Sequence, residues 1–418
     1  MVDLDLIPPV WKVKLPGHWP TQLQRMSYTQ LIGIEGCARK WSLQHSQYPD
    51  IWDSRNYPDK PNIGLLRGRV IHGALEILVK AFVSGNVSTI PSEAATSVIR
   101  ELGGFRHLVQ TCLERELASI SDNPRISGVI LSLKARLEQD RGNMLEDLKR
   151  LIRRIPSDRL GTGATWEPVE SEDEGRAPLR YGIHSEVALS PPGMGWIGYA
   201  DLMYLDEDSC EIRDFKTGGR NDGYSEQLQV YAVLWCLDTE LNPDGRHPDR
   251  LVISYPDGEV EVECLSASEI TEMASDLDIR VTSARESLTI SPPTAKPSWE
   301  QCQWCSVKQL CDEYWLPATQ SAITSQKTPA NDYLDAQLHL DNRLGPKSFS
   351  ATVISGIGLN PGINLTVSDQ GQDPHLAAGR TIRVLNAKIE KPEQEESDDN
   401  RFRIILDGSS ERFFLETT

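Results

Sequence analysis

Asp201, Asp214 and Lys216 are the residues of this sequence best placed to do chemistry. They lie between Gly195 and Gly218, in the stretch GWIGYADLMYLDEDSCEIRDFKTG. Alternation along a strand puts Asp214 and Lys216 on one face and turns Phe215 to the other. Two carboxylates and a lysine meeting at one end of a sheet suit metal-dependent phosphodiester hydrolysis. The carboxylates are hard oxygen ligands for Mg²⁺ or Mn²⁺. The cation polarises the phosphate and acidifies a bound water, while the lysine orients that water or offsets developing charge. Taken alone, D-x-K is common, and it reads first as charge facing solvent.

These residues need elements to hold them. Ile197, Leu202, Met203 and Leu205, with a turn over Asp206 to Ser209, predict a hairpin carrying Asp201 on its first strand. Downstream, Ser225 to Leu237 predicts an amphipathic helix with Gln227 and Tyr231 one turn apart. Upstream, Gly68 to Leu78 predicts a helix bearing His72, which by itself would read as a core histidine.

In chain order, G-x-x-x-H, G-x-x-D, D-x-K-T-G and Q-x-x-x-Y resemble the RecB-type branch of the PD-(D/E)xK nuclease superfamily. The resemblance implies an α/β restriction-endonuclease-like core. It implies His72, Asp201 and Asp214 as metal ligands, Lys216 as the catalytic lysine, and Gln227 and Tyr231 as active-site and DNA-contacting residues. Glu186, in the strand Ile183 to Leu189, stands where that branch often carries a further acidic residue.

Eight cysteines are present, three of them in C-x₂-C-x₅-C at Cys302, Cys305 and Cys311; Cys37 stands far upstream. Four thiolates can hold Zn²⁺ or an iron–sulfur cluster, and spacing does not choose between them. One early cysteine and a late trio on either side of the nuclease motifs is similar to the iron–sulfur nucleases of the RecB branch. These include AddB-type helicase–nuclease subunits and CRISPR adaptation nucleases. The likeness implies a largely structural 4Fe–4S cluster on Cys37, Cys302, Cys305 and Cys311, which clasps the chain ends beside the DNA channel. Ser27-Tyr28-Thr29 and Leu31 ahead of Cys37 fit the same pattern, whereas the absence of proline after Cys37 or Cys305 departs from it. Cys112, Cys210, Cys236 and Cys264 read as ordinary buried thiols.

Charge bears on the partner. With 43 basic and 61 acidic residues, the formal charge of −18 repels nucleic acid at long range. Acidic runs at Glu167 to Glu174 and Glu390 to Asp399 fall in expected loops. The run Lys149, Arg150, Arg153 and Arg154 reads as a solvated helix face rather than a DNA-contacting one. A net-acidic nuclease needs a locally positive channel and a metal that offsets its carboxylates. No leader-like segment or membrane-length apolar run occurs, which predicts a soluble cytoplasmic protein. Cysteine spacing does not suit a small disulfide scaffold.

The expected organisation is a RecB-like nuclease domain over residues 1–316. It comprises a helical insertion within 67–180, a catalytic sheet over 181–264 and a cysteine clasp at 302–311. The insertion is expected as two helices, Ala94 to Ile120, broken at Gly103-Gly104, and Ile126 to Ile155. A linker follows over 317–331. Residues 332–418 form a small β-barrel, OB-like by the look of AGRTIRVLNAKI and RFRIIL. Its strands are expected at Phe349–Ile354, Ile363–Val367, Thr381–Ile389, Arg401–Leu406 and Phe413–Leu415. Arg380, Arg383, Arg401 and Arg403 are candidates for a single-strand groove, against a role in protein contacts or stability. The favoured function is Mg²⁺- or Mn²⁺-dependent DNA hydrolysis, by an exonuclease sooner than an endonuclease, on single strands or DNA ends. Repair, recombination and antiviral defence all use such a fold. No Walker-type loop is present, so ATP-driven unwinding falls to a helicase or defence-system partner. The competing reading is a non-catalytic iron–sulfur DNA-binding or assembly subunit. A third, a zinc-clasped interaction protein, leaves the carboxylate pair unexplained.

Overall fold

Residues 6–20, 23–53, 55–87, 89–156, 176–326, 333–371, 373–390 and 402–415 are described by a computed structural model. In chain order they begin with a short strand β1 (Lys12–Val13), then helices α1 (Tyr28–Gly36), α2 (Ala38–His45), α3 (Pro49–Trp52), α4 (Ile63–Ser84), α5 (Glu93–Glu101), α6 (Gly104–Ser119) and α7 (Ile130–Ile152). The central region runs β2 (Gly182–Leu189), β3 (Gly198–Leu205), β4 (Cys210–Phe215), α8 (Gly223–Leu237), β5 (Arg250–Tyr255), β6 (Gly258–Val262), α9 (Ala267–Thr289) and α10 (Trp299–Cys302). Helix α11 (Pro317–Gln326) leads to β7 (Tyr333–Gly345), β8 (Ser348–Gly356), β9 (Asn364–Asp369), β10 (Thr381–Glu390), β11 (Arg403–Leu406) and β12 (Glu411–Leu415). None of the described helices is long and apolar enough to cross a membrane.

The expected hairpin is β3–β4, closed by a turn in which Asp206 Oδ1 accepts from the N–H groups of Asp208 and Ser209. The central sheet has the order β2-β3-β4-β5-β6, antiparallel except for the parallel β4–β5 pair. Helix α8 makes that crossover. It is apolar nearly all round, with Leu228, Val230, Ala232, Val233 and Leu234 buried, because sheet and α9 enclose it from two sides. The opposite face, through Ile183, Leu202, Tyr204 and Phe215, packs on α4, α6 and α7. The insertion is thus the second layer of the core as well as a cover. Its chain breaks between α5 and α6, where Gly103 and Gly104 both take positive φ.

The second sheet closes on itself. Strands pair β7-β8-β9-β11-β10, and β10 returns to β7, giving a five-stranded barrel with β12 and β1 added alongside β10. The first barrel strand, β7, is absent from the sequence reading. Its inward Leu334, Ala336, Leu338 and Leu340 alternate cleanly, but Asp335, Gln337 and His339 between them give a polar composition. The expected linker begins instead with α11, which buries Gln320 and Ile323 against its surroundings. Residues 327–331 of it, the acidic run 167–174 and the run beyond Glu390 lie outside the described residues. In the N-terminal segment, β1 pairs in parallel with β12 of the barrel, while Met26, Tyr28, Leu31 and Ile34 pack into the core of the central sheet.

Buried ion pairs join barrel, insertion and clasp. Arg125, from the turn before α7, is 5% exposed and forms a two-point pair with Glu411 at 2.8 and 3.1 Å. It also donates to Ser306 O at 2.5 Å and lies over the rings of Tyr57 and Phe413. Asp335 accepts from Tyr314 at 2.6 Å and pairs with Lys308 at 2.8 Å, and Lys308 holds its carboxyl below the usual range despite burial. Arg383 donates to Gln309 O at 2.6 Å and to Asp312 at 3.0 Å, with its guanidinium over Trp315.

Candidate active site and cysteine clasp

Helix α4 meets the end of the hairpin along one stripe, because Gly68, His72 and Glu76 recur every four residues. A Cβ on Gly68 would stand 3.1 Å from Thr217 Oγ1, so the glycine lets the helix approach the D-x-K-T-G turn. One turn on, His72 Nδ1 lies 3.5 Å from Asp201 Oδ2. That same oxygen accepts the Phe215 N–H at 2.6 Å, which locks the Asp201 carboxylate across the mouth of β4.

Asp214 is buried, at 4% exposure, and Lys216 Nζ stands 2.6 Å from its Oδ2. The approach is an ion pair by distance, but its angle leaves Oδ2 without an aligned hydrogen bond. Burial, then the charge of Asp201, pushes the Asp214 carboxyl up to about 6. For Lys216 burial lowers the pKa, but Asp214 outweighs it and the ammonium is held above its usual range. Lys216 Nζ also lies 4.8 Å from the centre of the Tyr224 ring, and its backbone N–H donates to Ser254 O.

Glu186 faces Asp201 across the β2–β3 pair, between the partners Ser185–Leu202 and Val187–Ala200. Its φ of 54° is rare for a non-glycine strand residue and re-aims the side chain at the cleft. Burial, then Asp201 and Glu76, pushes its carboxyl up to about 7. From α8, Gln227 Nε2 donates to Tyr231 Oη at 2.8 Å, and Tyr231 lies within electrostatic reach of Asp214, Asp201 and Glu186. The first turn of α8 is fixed by Tyr28, whose hydroxyl donates to Glu226 at 2.8 Å, and by Arg280, which bridges Glu226 and Glu35. The residues expected at the site, His72, Glu186, Asp201, Asp214, Lys216, Gln227 and Tyr231, therefore share one cleft.

Sequence reasoning misses Glu76 and Tyr224. Glu76 follows His72 by one helical turn, which is a usable signal; nothing in the sequence marks Tyr224. The glycine of G-x-x-D also has a reason: a Cβ on Gly198 would stand 2.9 Å from Tyr231 Cε1 and 3.0 Å from Leu234 Cδ1. Gly198→Ala should therefore displace α8, at a cost of about 1–3 kcal/mol. It should lower the melting temperature and cleavage together. An unchanged melt would show that Tyr231 accommodates the methyl.

Among the described residues no three His, Cys, Asp or Glu side chains are grouped tightly enough to hold one ion as they stand. The donor chemistry nevertheless suits a divalent cation: two carboxylates, an imidazole, and a buried Asp214 oxygen lacking an aligned partner. A cation there would reverse the repulsion that raises Asp214.

Cys37, Cys302, Cys305 and Cys311 surround one cavity of about 20 Å³, with Lys40 and Lys308 on its wall. None is in a disulfide. Cys37 Sγ accepts the backbone N–H groups of Lys40 and Lys296, both at 3.4 Å, which fixes its position on the cavity wall. Burial pushes Cys305 up to about 11 and Cys311 up to about 12, so neither ionises at neutral pH without a metal. The other four cysteines stay apart from this cavity. Cys112 and Cys210 are fully buried, whereas Cys236 and Cys264 are only partly so.

The arginines expected in a barrel groove scatter. Arg383 is 5% exposed and faces the clasp, so it cannot meet a strand; a strand arginine reads the same whether it faces a neighbour or solvent. Arg380 donates to His375 O, Arg403 is exposed on β11, and Arg401 lies outside the described residues. In the basic run, Lys149 pairs with Glu146 and Arg150 with Asp147, as a solvated face would.

No curated protein matches this sequence. Residues 25–312 match the sequence profile of the PD-(D/E)XK nuclease superfamily, covering β2–β6, the helices packed on both faces of the sheet, and the four clasp cysteines. The chain belongs to the PD-(D/E)XK nuclease superfamily.

Proposed function

We propose that this protein is a RecB-type, Mg²⁺- or Mn²⁺-dependent deoxyribonuclease acting on single strands or DNA ends, as an exonuclease. The supporting observation is the buried Asp214, which faces Asp201 while Lys216 stands 2.6 Å from it. Burying a carboxylate beside a second one is unfavourable unless a cation joins them, so a scaffold without chemistry gains nothing from this arrangement. His72, Asp201 and Asp214 would hold the metal, with Glu186 beside them. Once bound, the metal would polarise the scissile phosphate and supply an activated water. Lys216 would orient that water, and its ammonium would offset charge on the phosphate. Gln227 and Tyr231 would line the strand. The test is cleavage of labelled single- and double-stranded DNA with Mn²⁺ against EDTA. A soluble, cluster-loaded protein that cuts neither with Mn²⁺ would favour an assembly subunit instead.

The clasp we assign to a 4Fe–4S cluster. Four unpaired thiols around one cavity, with backbone N–H groups aimed at a sulfur, support it. Anaerobically purified protein should be brown with broad visible absorption, and Cys302→Ala or Cys311→Ala should bleach it. Colourless protein with about one zinc per chain would replace cluster by zinc in the same clasp.

The barrel we read as OB-like, on its strand order and its single parallel pair, β9–β11. Its charged residues Asp335, Arg383 and Glu411 are engaged by clasp and insertion. This supports a bracing role above strand binding.

A further inference from the structure

The D-x-K-T-G turn continues into Gly218, Gly219 and Arg220 before α8 begins. A Cβ at Gly218 or Gly219 would meet nothing within 4 Å, so the backbone here borders open space beside the catalytic lysine. Arg220 places its guanidinium 5.5 Å from the centre of the Tyr255 ring. Its ion pair with Asp257 is long, 3.8 Å, and joins side chains 62% and 73% exposed. Such a pair contributes little and leaves the guanidinium able to accept another anion.

Tyr255 itself is 3% exposed and ends β5, the parallel neighbour of β4. It lies within electrostatic reach of Tyr224, Lys216, Arg220 and Asp214. Two tyrosine rings therefore seat two cations side by side: Lys216 over Tyr224 and Arg220 over Tyr255. The two cations differ in one respect. Lys216 is committed to a carboxylate at 2.6 Å, whereas Arg220 is held mainly by a ring face. A guanidinium on an aromatic face keeps its in-plane N–H donors directed outward, in the fork that matches a phosphate. The carboxyl ends of adjacent parallel strands form a crevice in which ligands of open α/β sheets bind.

We propose that Arg220, seated on Tyr255, binds a backbone phosphate of the DNA strand next to the one cleaved. This rests on the nuclease reading above and extends it to the substrate's flanking phosphate. In a chain of net charge −18, a cation at this position also supplies positive potential beside the carboxylates of the site. Arg220 touches no reacting atom in this scheme and acts on substrate affinity.

The test is steady-state cleavage of a fluorescein-labelled single-stranded oligonucleotide with Mn²⁺, using the full-length, cluster-loaded protein at several salt concentrations. Arg220→Ala removes an exposed side chain and should leave the melting temperature unchanged. It should raise KM by on the order of 10-fold, because one charge-assisted hydrogen bond to the substrate is removed, with kcat near the parent value. The slope of log(kcat/KM) against log[salt] should flatten by about 0.7, the change that follows when one single-strand phosphate is no longer neutralised. Arg220→Lys keeps the charge and should restore the slope while recovering only part of KM. A cleaving parent whose Arg220→Ala variant keeps the same KM and slope would overturn the phosphate contact alone. A fall in kcat at unchanged KM would also overturn it, by moving Arg220 into the chemical step. A parent that cuts nothing sinks the nuclease reading, and this inference with it.

Discussion

Asp214→Ala and Lys216→Ala will each abolish metal-dependent cleavage while the protein stays folded. Loss of the lysine removes a charge aimed at the developing transition state and should cost on the order of 10²–10³-fold in rate. Loss of Asp214 removes a proposed metal ligand and should cost at least as much. The fold should survive because Asp214 does not stabilise it at neutral pH. Its carboxyl titrates at about 6 in the folded chain against 3.8 in the ordinary state, burial being the first cause and Asp201 the second. Raising the folded pKa of an acid gives stability that is full below the unfolded pKa and is lost as pH rises through the folded one. Asp214→Asn should therefore flatten the fall in stability between about pH 4 and 6 in EDTA. Melting curves across that range, run beside a cleavage assay, separate the two effects. Unchanged cleavage in both alanine variants would sink the active-site assignment.

Arg125→Ala, at a residue that is itself no proposed ligand, is the substitution expected to damage the fold most. Its guanidinium is 5% exposed and closes four parts of the chain at once: the turn before α7, Pro58 beside Tyr57, Ser306 inside the clasp, and Glu411 on β12. Removing Arg125 leaves the buried Glu411 carboxylate with only the longer contact to Lys60, at 3.5 Å, a loss of about 3 kcal/mol at the low end for a broken buried pair. Denaturant unfolding should show that loss, with the visible absorption of the proposed cluster bleaching at lower denaturant than in the parent. The double variant Arg125→Leu, Glu411→Leu should recover part of it, since an apolar pair need not be desolvated as charge. A single Arg125→Ala variant as stable as the parent would mean that barrel and nuclease body are independent.

The hairpin, the helix of His72 and the helix of Gln227 are legible in the sequence because each is a local pattern. Alternation fixes which residues share a face, and four-residue spacing fixes which residues share a helix stripe. The cleft follows once those elements meet. What escapes depends on contacts between distant segments. Glu186 is legible as a strand residue, but its backbone at φ 54° is not, because a glutamate carries no turn signature. Arg383 reads toward solvent because nothing local reveals that Gln309 O and Asp312 wait opposite it. Arg125 passes for an ordinary loop arginine for the same reason. β7 is hidden because its outward side carries Asp335 and His339, although its inward side is a regular apolar row.

The parallel pairing of β1 with β12 has a consequence for how the molecule is born. A ribosome delivers Lys12 and Cys37 long before their partners exist, and Arg125 precedes Glu411 by 286 residues. At ordinary bacterial to eukaryotic elongation rates that gap lasts roughly 15–60 s. Within it the hairpin with its carboxylates is made first, the late cysteines follow, and the strands that close the barrel come after both. Contacts of such long sequence separation also form slowly. The nascent chain thus carries a set of motifs without the frame that aligns them, and β12 completes that frame when it emerges.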